Sequence, residues 1–224
     1  MSRNSKETIT CPKCNTKGDF TVWGSLNVNL DPKMKEKVLD YSIFKYTCPN
    51  CGETFNIQYD FLYHDMNRKY MIQMVTEEER MEEVVNNFVE VKKTMKKEFA
   101  KENFDEKVRV VLGPNELKEK ILIFDNNLDD RAIEKVKTVI LSSLCVNANN
   151  EDKTPNKALF DIGNNGKMFF AIFYENEYLG TVNFEEELYN KINEALEKEN
   201  DNLYIVDQYY AIQSLGLEKL ANND

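Results

Sequence analysis

From Phe20 the apolar positions fall on every second residue, at Phe20, Val22, Leu26, Val28 and Leu30, with Gly24 in phase between them. A period of two is the signature of a strand with one face buried, and a glycine inside it predicts a bend or bulge. The same period returns at Ile43–Thr47, at Phe55, Ile57 and Tyr59, and at Tyr70, Ile72 and Met74. These runs predict an antiparallel sheet. Residues 1–8 are polar and expected to be loose. Asp31-Pro32 offers an N-cap followed by proline in the first helical position, which predicts a short helix over Lys33–Asp40.

The pattern changes at Thr76. Thr76 and Glu79 form a capping-box signature, Glu77, Glu78, Glu79, Glu82 and Glu83 crowd the first turns, and Lys92, Lys93, Lys96 and Lys97 crowd the later ones. That polarity matches the helix dipole. Met81, Val84, Phe88, Val91, Met95 and Phe99 make a narrow stripe two to three heptads long. Such a stripe packs on its own chain, against the C-terminal part, or forms the seam of a homodimer; the first use is preferred.

Further on, Val108–Leu112 reads as a short strand and Asn115–Phe124 as a helix. A second helix runs over Asp129–Leu144, with Ile133, Val136, Val139, Ile140 and Leu144 on one face. Cys145 falls on its apolar side and is expected as a buried thiol. Residues 147–157 read as an exposed loop. Leu159–Ile162, Lys167–Tyr174 and Tyr178–Phe184, separated by Gly163-Asn164-Asn165-Gly166 and Glu175-Asn176-Glu177, predict a three-strand meander. A helix over Glu185–Lys198, a strand at Leu203–Val206 and a helix over Asp207–Leu215 complete the reading.

The fold class is therefore α+β. A zinc-ribbon-like antiparallel β domain with an inserted short helix spans residues 6–75, a helical region 76–146, and an α+β region containing the meander 158–224.

The candidate chemistry lies in Cys11-Pro12-Lys13-Cys14 and Cys48-Pro49-Asn50-Cys51. A C-x-x-C step turns two sulfurs toward one point, and two such steps supply the four thiolates of a tetrahedral zinc site. In each, proline fixes φ after the first cysteine, and a residue that tolerates positive φ follows the second, Asn15 or Gly52. Disulfides would require an oxidising compartment, and no secretion signal is visible before Cys11. A thioredoxin-like redox pair would call for one C-x-x-C at a strand-to-helix junction. Four thiolates close the coordination sphere, whereas hydrolytic zinc keeps one position open. One structural Zn²⁺ is expected on Cys11, Cys14, Cys48 and Cys51, with no catalytic residue. Closed sites of this type supply an apparent ~10–16 kcal/mol in small peptides.

Ile9–Cys14, Trp23–Pro32, Phe44–Gly52 and Leu62–Met66 together resemble the bacterial and archaeal CpXC domain, named for its two Cys-Pro-x-Cys motifs. The resemblance runs over about residues 6–145, through Pro114–Leu117 and Asn127–Arg131. It implies a zinc site and names no reaction.

Composition narrows the function classes. The chain has 224 residues, 42% hydrophobic and 30% charged, ordinary for a soluble globular protein. No apolar run approaches the ~20 residues of a membrane span, and the cytoplasm is the expected compartment. Residues 1–76 carry ten Lys and Arg against eight Asp and Glu; the remainder carries nineteen against thirty-one. The first part lacks the basic footprint of a phosphate-backbone binder, so nucleic acid is disfavoured.

His64, the single histidine, is expected as a turn residue hydrogen-bonded to backbone; it does not make a nucleophilic site with Asp65 alone. Trp23 is expected as a lid on the knuckles or a contact with the C-terminal part, rather than as a stacking platform. The preferred function is a zinc-stabilised protein–protein interaction module, monomeric or dimeric through the long helix. The alternative is an enzyme or ligand-binding protein with a pocket near Trp23, Tyr63, His64, Asp65 and Arg131.

Overall fold

The first residues form a strand. In the computed structural model, which describes residues 1–99, 106–147, 153–196 and 201–217 (side chains of 95–99 and 147 apart), β1 (Arg3–Thr10) pairs antiparallel with β2 (Lys17–Asn27). Residues 1–8 are thus not loose. Strand β1 is an edge strand, exposed along nearly its whole length, so it carries no apolar alternation from which it could be read. The register passes from Asn4↔Trp23 to Arg3↔Ser25 and skips Gly24, which is the bulge that the glycine predicted.

Chain contacts cluster into two units, Met1–Lys118 and Glu119–Asp224. In the first, five strands lie in the order β1-β2-β5-β6-β7, with β5 at Phe61–Asp65, β6 at Tyr70–Val75 and β7 at Lys107–Leu112. The sheet is mixed. Pairs β1·β2 and β5·β6 are antiparallel, while β2·β5 and β6·β7 are parallel. A parallel pair needs a crossover, and each crossover carries something. Between β2 and β5 lie helix α1 (Met34–Leu39), a 3₁₀ turn at Ser42–Phe44, and the antiparallel ribbon β3 (Lys45–Thr47) and β4 (Thr54–Asn56). Between β6 and β7 lies α2 (Met81–Phe99), which packs on β7.

Two helix starts differ from the sequence reading. Asp31 is not the cap of α1: Lys33 holds that place without a side-chain hydrogen bond, and the Asp31 carboxylate takes the Ser2 hydroxyl instead. Thr76 does not cap α2 either. Its N–H and hydroxyl donate to Asp60 Oδ1 at 3.2 and 3.4 Å, and a 3₁₀ turn at Glu78–Arg80 intervenes before the helix. In both cases a tertiary acceptor or donor outcompeted the local one. On α2, Met81, Val84 and Phe88 are half-buried and Val91 is exposed; the Met95 and Phe99 side chains lie outside those described.

The boundary between units falls inside α3 (Gly113–Asp125). In the second unit, β8 (Lys157–Ile162), β9 (Met168–Tyr174) and β10 (Glu177–Asn183) form the predicted antiparallel meander. Helix α4 (Asp130–Asn147) packs on β8, on α5 (Glu186–Leu196) and on α6 (Gln208–Ser214). Asp207 caps α6 by accepting the Tyr210 N–H at 2.8 Å. Residues 201–206 are irregular, not a strand: Lys120 Nζ donates to the Val206 carbonyl at 2.6 Å in place of a strand partner. Cys145 is exposed, not buried. The loop expected over 147–157 falls largely outside the described residues.

The core of this unit holds charge as well as apolar groups. Asp130, Lys120, Glu134, Lys137 and Glu119 are each no more than 7% exposed. They form an alternating chain with contacts of 3.2, 3.1, 2.9 and 3.0 Å. Glu119 also accepts the backbone N–H of Phe160 at 2.6 Å, tying α3 to β8.

Candidate metal centre

Each Cys-Pro-x-Cys motif forms the tip of a hairpin. In the first, between β1 and β2, Cys11 N–H donates to Thr16 O (3.0 Å) and Asn15 N–H to Cys11 O (2.9 Å). In the second, between β3 and β4, Cys48 N–H donates to Glu53 O (2.8 Å) and Gly52 N–H to Cys48 O (3.0 Å). Asn15 and Gly52 have φ of 57° and 72°, so the sequence repeat is a conformational repeat. Across the tips, Lys13 and Glu53 pair at 2.7 Å, an exposed contact of small energetic weight.

The tips meet through sulfur. One ligand atom from each of Cys11, Cys14, Cys48 and Cys51 lies within 4.8 Å of the other three. Two contacts cross between hairpins, Cys11–Cys51 at 3.7 Å and Cys14–Cys48 at 3.6 Å. All four are free thiols. A tetrahedron with metal–sulfur bonds of about 2.3 Å has edges of about 3.8 Å, so the cluster fits a tetrahedral ion in size and in donor chemistry. Electrostatics point the same way. Thr16, through its hydroxyl and its backbone, holds Cys14 down to about 5. Cys51 is pushed up to about 12: the Glu53 N–H favours its thiolate, but burial and the neighbouring sulfurs of Cys14, Cys11 and Cys48 prevail. Thiolates this close repel one another, and a central cation removes that repulsion.

A small core supports the cluster. Cys11, Cys48, Phe20 and Tyr46 are buried together, with Ile9, Val22, Phe55, Ile57 and Tyr59 packed around them. Tyr46 stands edge-on to Phe20 at 6.2 Å and tilted against Phe55 at 5.3 Å. Its hydroxyl is buried without a hydrogen-bond partner among the described residues, an arrangement that costs on the order of 1–3 kcal/mol.

Profile comparison decides the family. The CpXC protein profile matches residues 9–137. The chain belongs to the CpXC family. The match begins two residues before the first CpXC cysteine and ends within α4, so it takes in both hairpins and the whole of the five-stranded sheet from the end of β1. No match is found among curated proteins or solved structures.

The other candidate residues of this CpXC protein are divided between the two units. His64 is a strand residue of β5, not a turn residue: its Nε2 lies 3.0 Å from Glu106 Oε2, a close approach without hydrogen-bond geometry, and its carbonyl accepts Val28 N–H at 3.0 Å. Asp65 accepts the Arg68 N–H at 3.0 Å and closes the β5–β6 turn. Tyr63 is buried and stacks on Tyr70 at 5.9 Å. Arg131, in the second unit, donates from Nε and Nη2 to the Asp129 carboxylate at 3.0 and 2.7 Å. Trp23 is half-buried beside Asn4. Two surface cavities of the second unit, about 580 and about 230 Å³, are lined by none of these five. Sequence reasoning missed Thr16, Gly18, Tyr46 and Glu106. The first three flank the motifs within four residues, a signal that was available. No described helix is long and apolar enough to cross a membrane.

Proposed function

We propose that the chain is a zinc-stabilised protein–protein interaction module, in which Cys11, Cys14, Cys48 and Cys51 hold one structural Zn²⁺. The observation that carries this reading is the convergence of four thiols from two hairpins at tetrahedral spacing. Soft sulfur donors in a tetrahedron select zinc or iron among common ions, and a set of four leaves no open position for substrate or water. The ion would pin β3–β4 to β1–β2, which otherwise share a small aromatic core and the exposed Lys13–Glu53 pair. Elemental analysis after dialysis against a weak chelator tests the reading, with one zinc per chain expected. Iron in its place would overturn the choice of metal, and neither metal would overturn the site.

The interaction role is supported by what the first unit leaves exposed. Strand β1 offers a long open edge, and Leu30 and Met66 are 62% and 53% exposed. A protein partner is the proposed ligand, and recovery of a stoichiometric partner by affinity purification from the native host tests it. A purified chain that instead turns over or retains a small molecule would favour the enzyme or ligand-binding alternative.

A further inference from the structure

Strand alternation gives the β8–β9–β10 sheet two faces, and the core uses one of them. Ala158, Phe160, Phe170 and Ile172 are buried on that face, where Phe160 and Phe170 pack with Phe184. The residues between them point the other way. An antiparallel sheet that meets water on its second face carries polar side chains there, but this one carries Leu159, Phe169, Ala171 and Phe173, each half-buried, and Tyr178, 58% exposed. Tyr178 stands edge-on to Phe173 at 5.7 Å and extends the patch onto β10. A contiguous apolar patch rimmed by charge marks an interaction surface.

The register orders this face into rows. Lys157, Phe173 and Tyr178 stand side by side across the three strands, then Leu159, Ala171 and Thr181, then Asp161, Phe169 and Asn183. The end rows match in shape and differ in charge: each has a phenylalanine on β9, and beside it on β8 stands a lysine in one row and an aspartate in the other. We propose that this face binds a second copy of the chain, sheet on sheet, about a two-fold axis that crosses the strands through Ala171. That axis lays the first row of one copy on the third row of the other. Lys157 of each copy then faces Asp161 of the other, Phe173 faces Phe169, and the small Ala171 meets its own symmetry mate, which leaves room for the rings on either side. An axis along the strands would set Lys157 over Tyr178 and Asp161 over Asn183, and would bring no opposite charges together. Self-complementarity of this kind is what an isologous interface requires, and two such sheets pack ~10 Å apart with their strands about 30° from parallel or antiparallel alignment. The surface is separate from both the metal centre and the long helix.

At ~4.8 Å between strands and ~3.4 Å per residue, the rows cover about 14 by 17 Å. That is small for a specific interface, so the full chain is expected to dimerise with a dissociation constant of about 1–100 μM. Sedimentation equilibrium over about 1–500 μM spans that range. Lys157→Glu and Asp161→Lys should each weaken self-association by about 10–100-fold, since each sets like charges against one another at two symmetric contacts. Mixed together, the two variants regain opposite charges at both contacts and should associate with each other. Both positions are partly exposed, so far-UV dichroism should be unchanged in either variant. A measurement free of variants is NMR of the wild-type chain, where Leu159 and Ala171 resonances should shift with concentration over the same range. A chain that stays monomeric throughout overturns the proposal, even where a different protein is recovered on this face. So does a dimer whose formation leaves those resonances unmoved, or one that both charge variants leave intact; if Phe88→Glu dissolves that dimer, the long helix is its seam.

Discussion

The hydroxyl of Tyr46 occupies the place where a side chain on Gly18 would begin, with 2.2 Å between Oη and the point where a Cβ would stand. The ring cannot retreat, because Phe20 and Phe55 hold it from two sides. Gly18→Ala should destabilise the first unit by about 1–3 kcal/mol as an overpacked site. In a Tyr46→Phe background the same substitution should cost less, since the clashing atom is gone. Chemical denaturation of the four proteins gives the coupling energy directly; strict additivity would show that the two residues do not compete for this space.

Asn15 and Gly52 hold equivalent left-handed positions, with φ of 57° and 72°. Alanine at Gly52 should cost about 1 kcal/mol, and Asn15→Ala a similar amount, because the strain is conformational. Asn15→Gly should be nearly neutral. Thermal melts of the metal-loaded proteins would separate these outcomes; a neutral Gly52→Ala would mean that the tip relaxes out of this geometry.

Removing a sulfur should matter far more than removing the imidazole. Cys48→Ser deletes one of the four clustered thiols and should abolish stoichiometric zinc and unfold the two hairpins, while leaving the helical second unit by far-UV dichroism. His64, paired with Glu106 rather than with sulfur, should give an alanine variant with unchanged metal content. Elemental analysis of both variants is the measurement. Zinc lost from His64→Ala would mean a different ligand set.

The elements legible in the sequence were those whose partners lie close in the chain. The two CpXC tips, the bulge at Gly24 and the β8–β9–β10 meander each depend on local geometry, and each was read correctly. Strand β1 escaped because an exposed edge strand needs only backbone pairing. The parallel pairings of β2 with β5 and β6 with β7 escaped for another reason: alternation reports burial and not direction, although the long connection from Asn27 to Phe61 was itself a sign of a crossover. At the site, the four cysteines were legible by spacing. The place of the Tyr46 hydroxyl was not, because it depends on a slot opened by Gly18 in the other hairpin. The least legible feature was the charge buried beneath α3 and α4. On a helix, Glu134 and Lys137 look like a solvated i,i+3 pair, and only the fold buries them and brings Lys120 onto Glu134.

That buried chain makes the second unit sensitive to alkali. Burial alone would push both ammonium groups down, but carboxylates outweigh it: Glu119 and Glu134 hold the Lys137 proton, and Asp130, Glu134 and Glu119 hold that of Lys120, so both lysines titrate above the ordinary 10.5. A group whose folded pKa is raised contributes stability that is fully present below its unfolded value and is lost as pH rises through the folded value. The second unit should therefore keep this contribution up to about pH 10 and lose it progressively above, as the unfolded chain gives up lysine protons that the folded chain retains. Tyr189, also raised, first by its burial, adds a loss of the same sign. Lys137→Met separates the contributions. At neutral pH it leaves Glu119 and Glu134 facing each other without their shared cation and should cost about 3–5 kcal/mol, while the alkaline decline becomes shallower because one of the linked protons is gone. Denaturant midpoints measured from about pH 7 to 11, a range that brackets the unfolded lysine value, give both numbers for wild type and variant. An alkaline limb equally steep in the two proteins would show that Lys137 does not carry the linkage, whatever its cost at neutral pH.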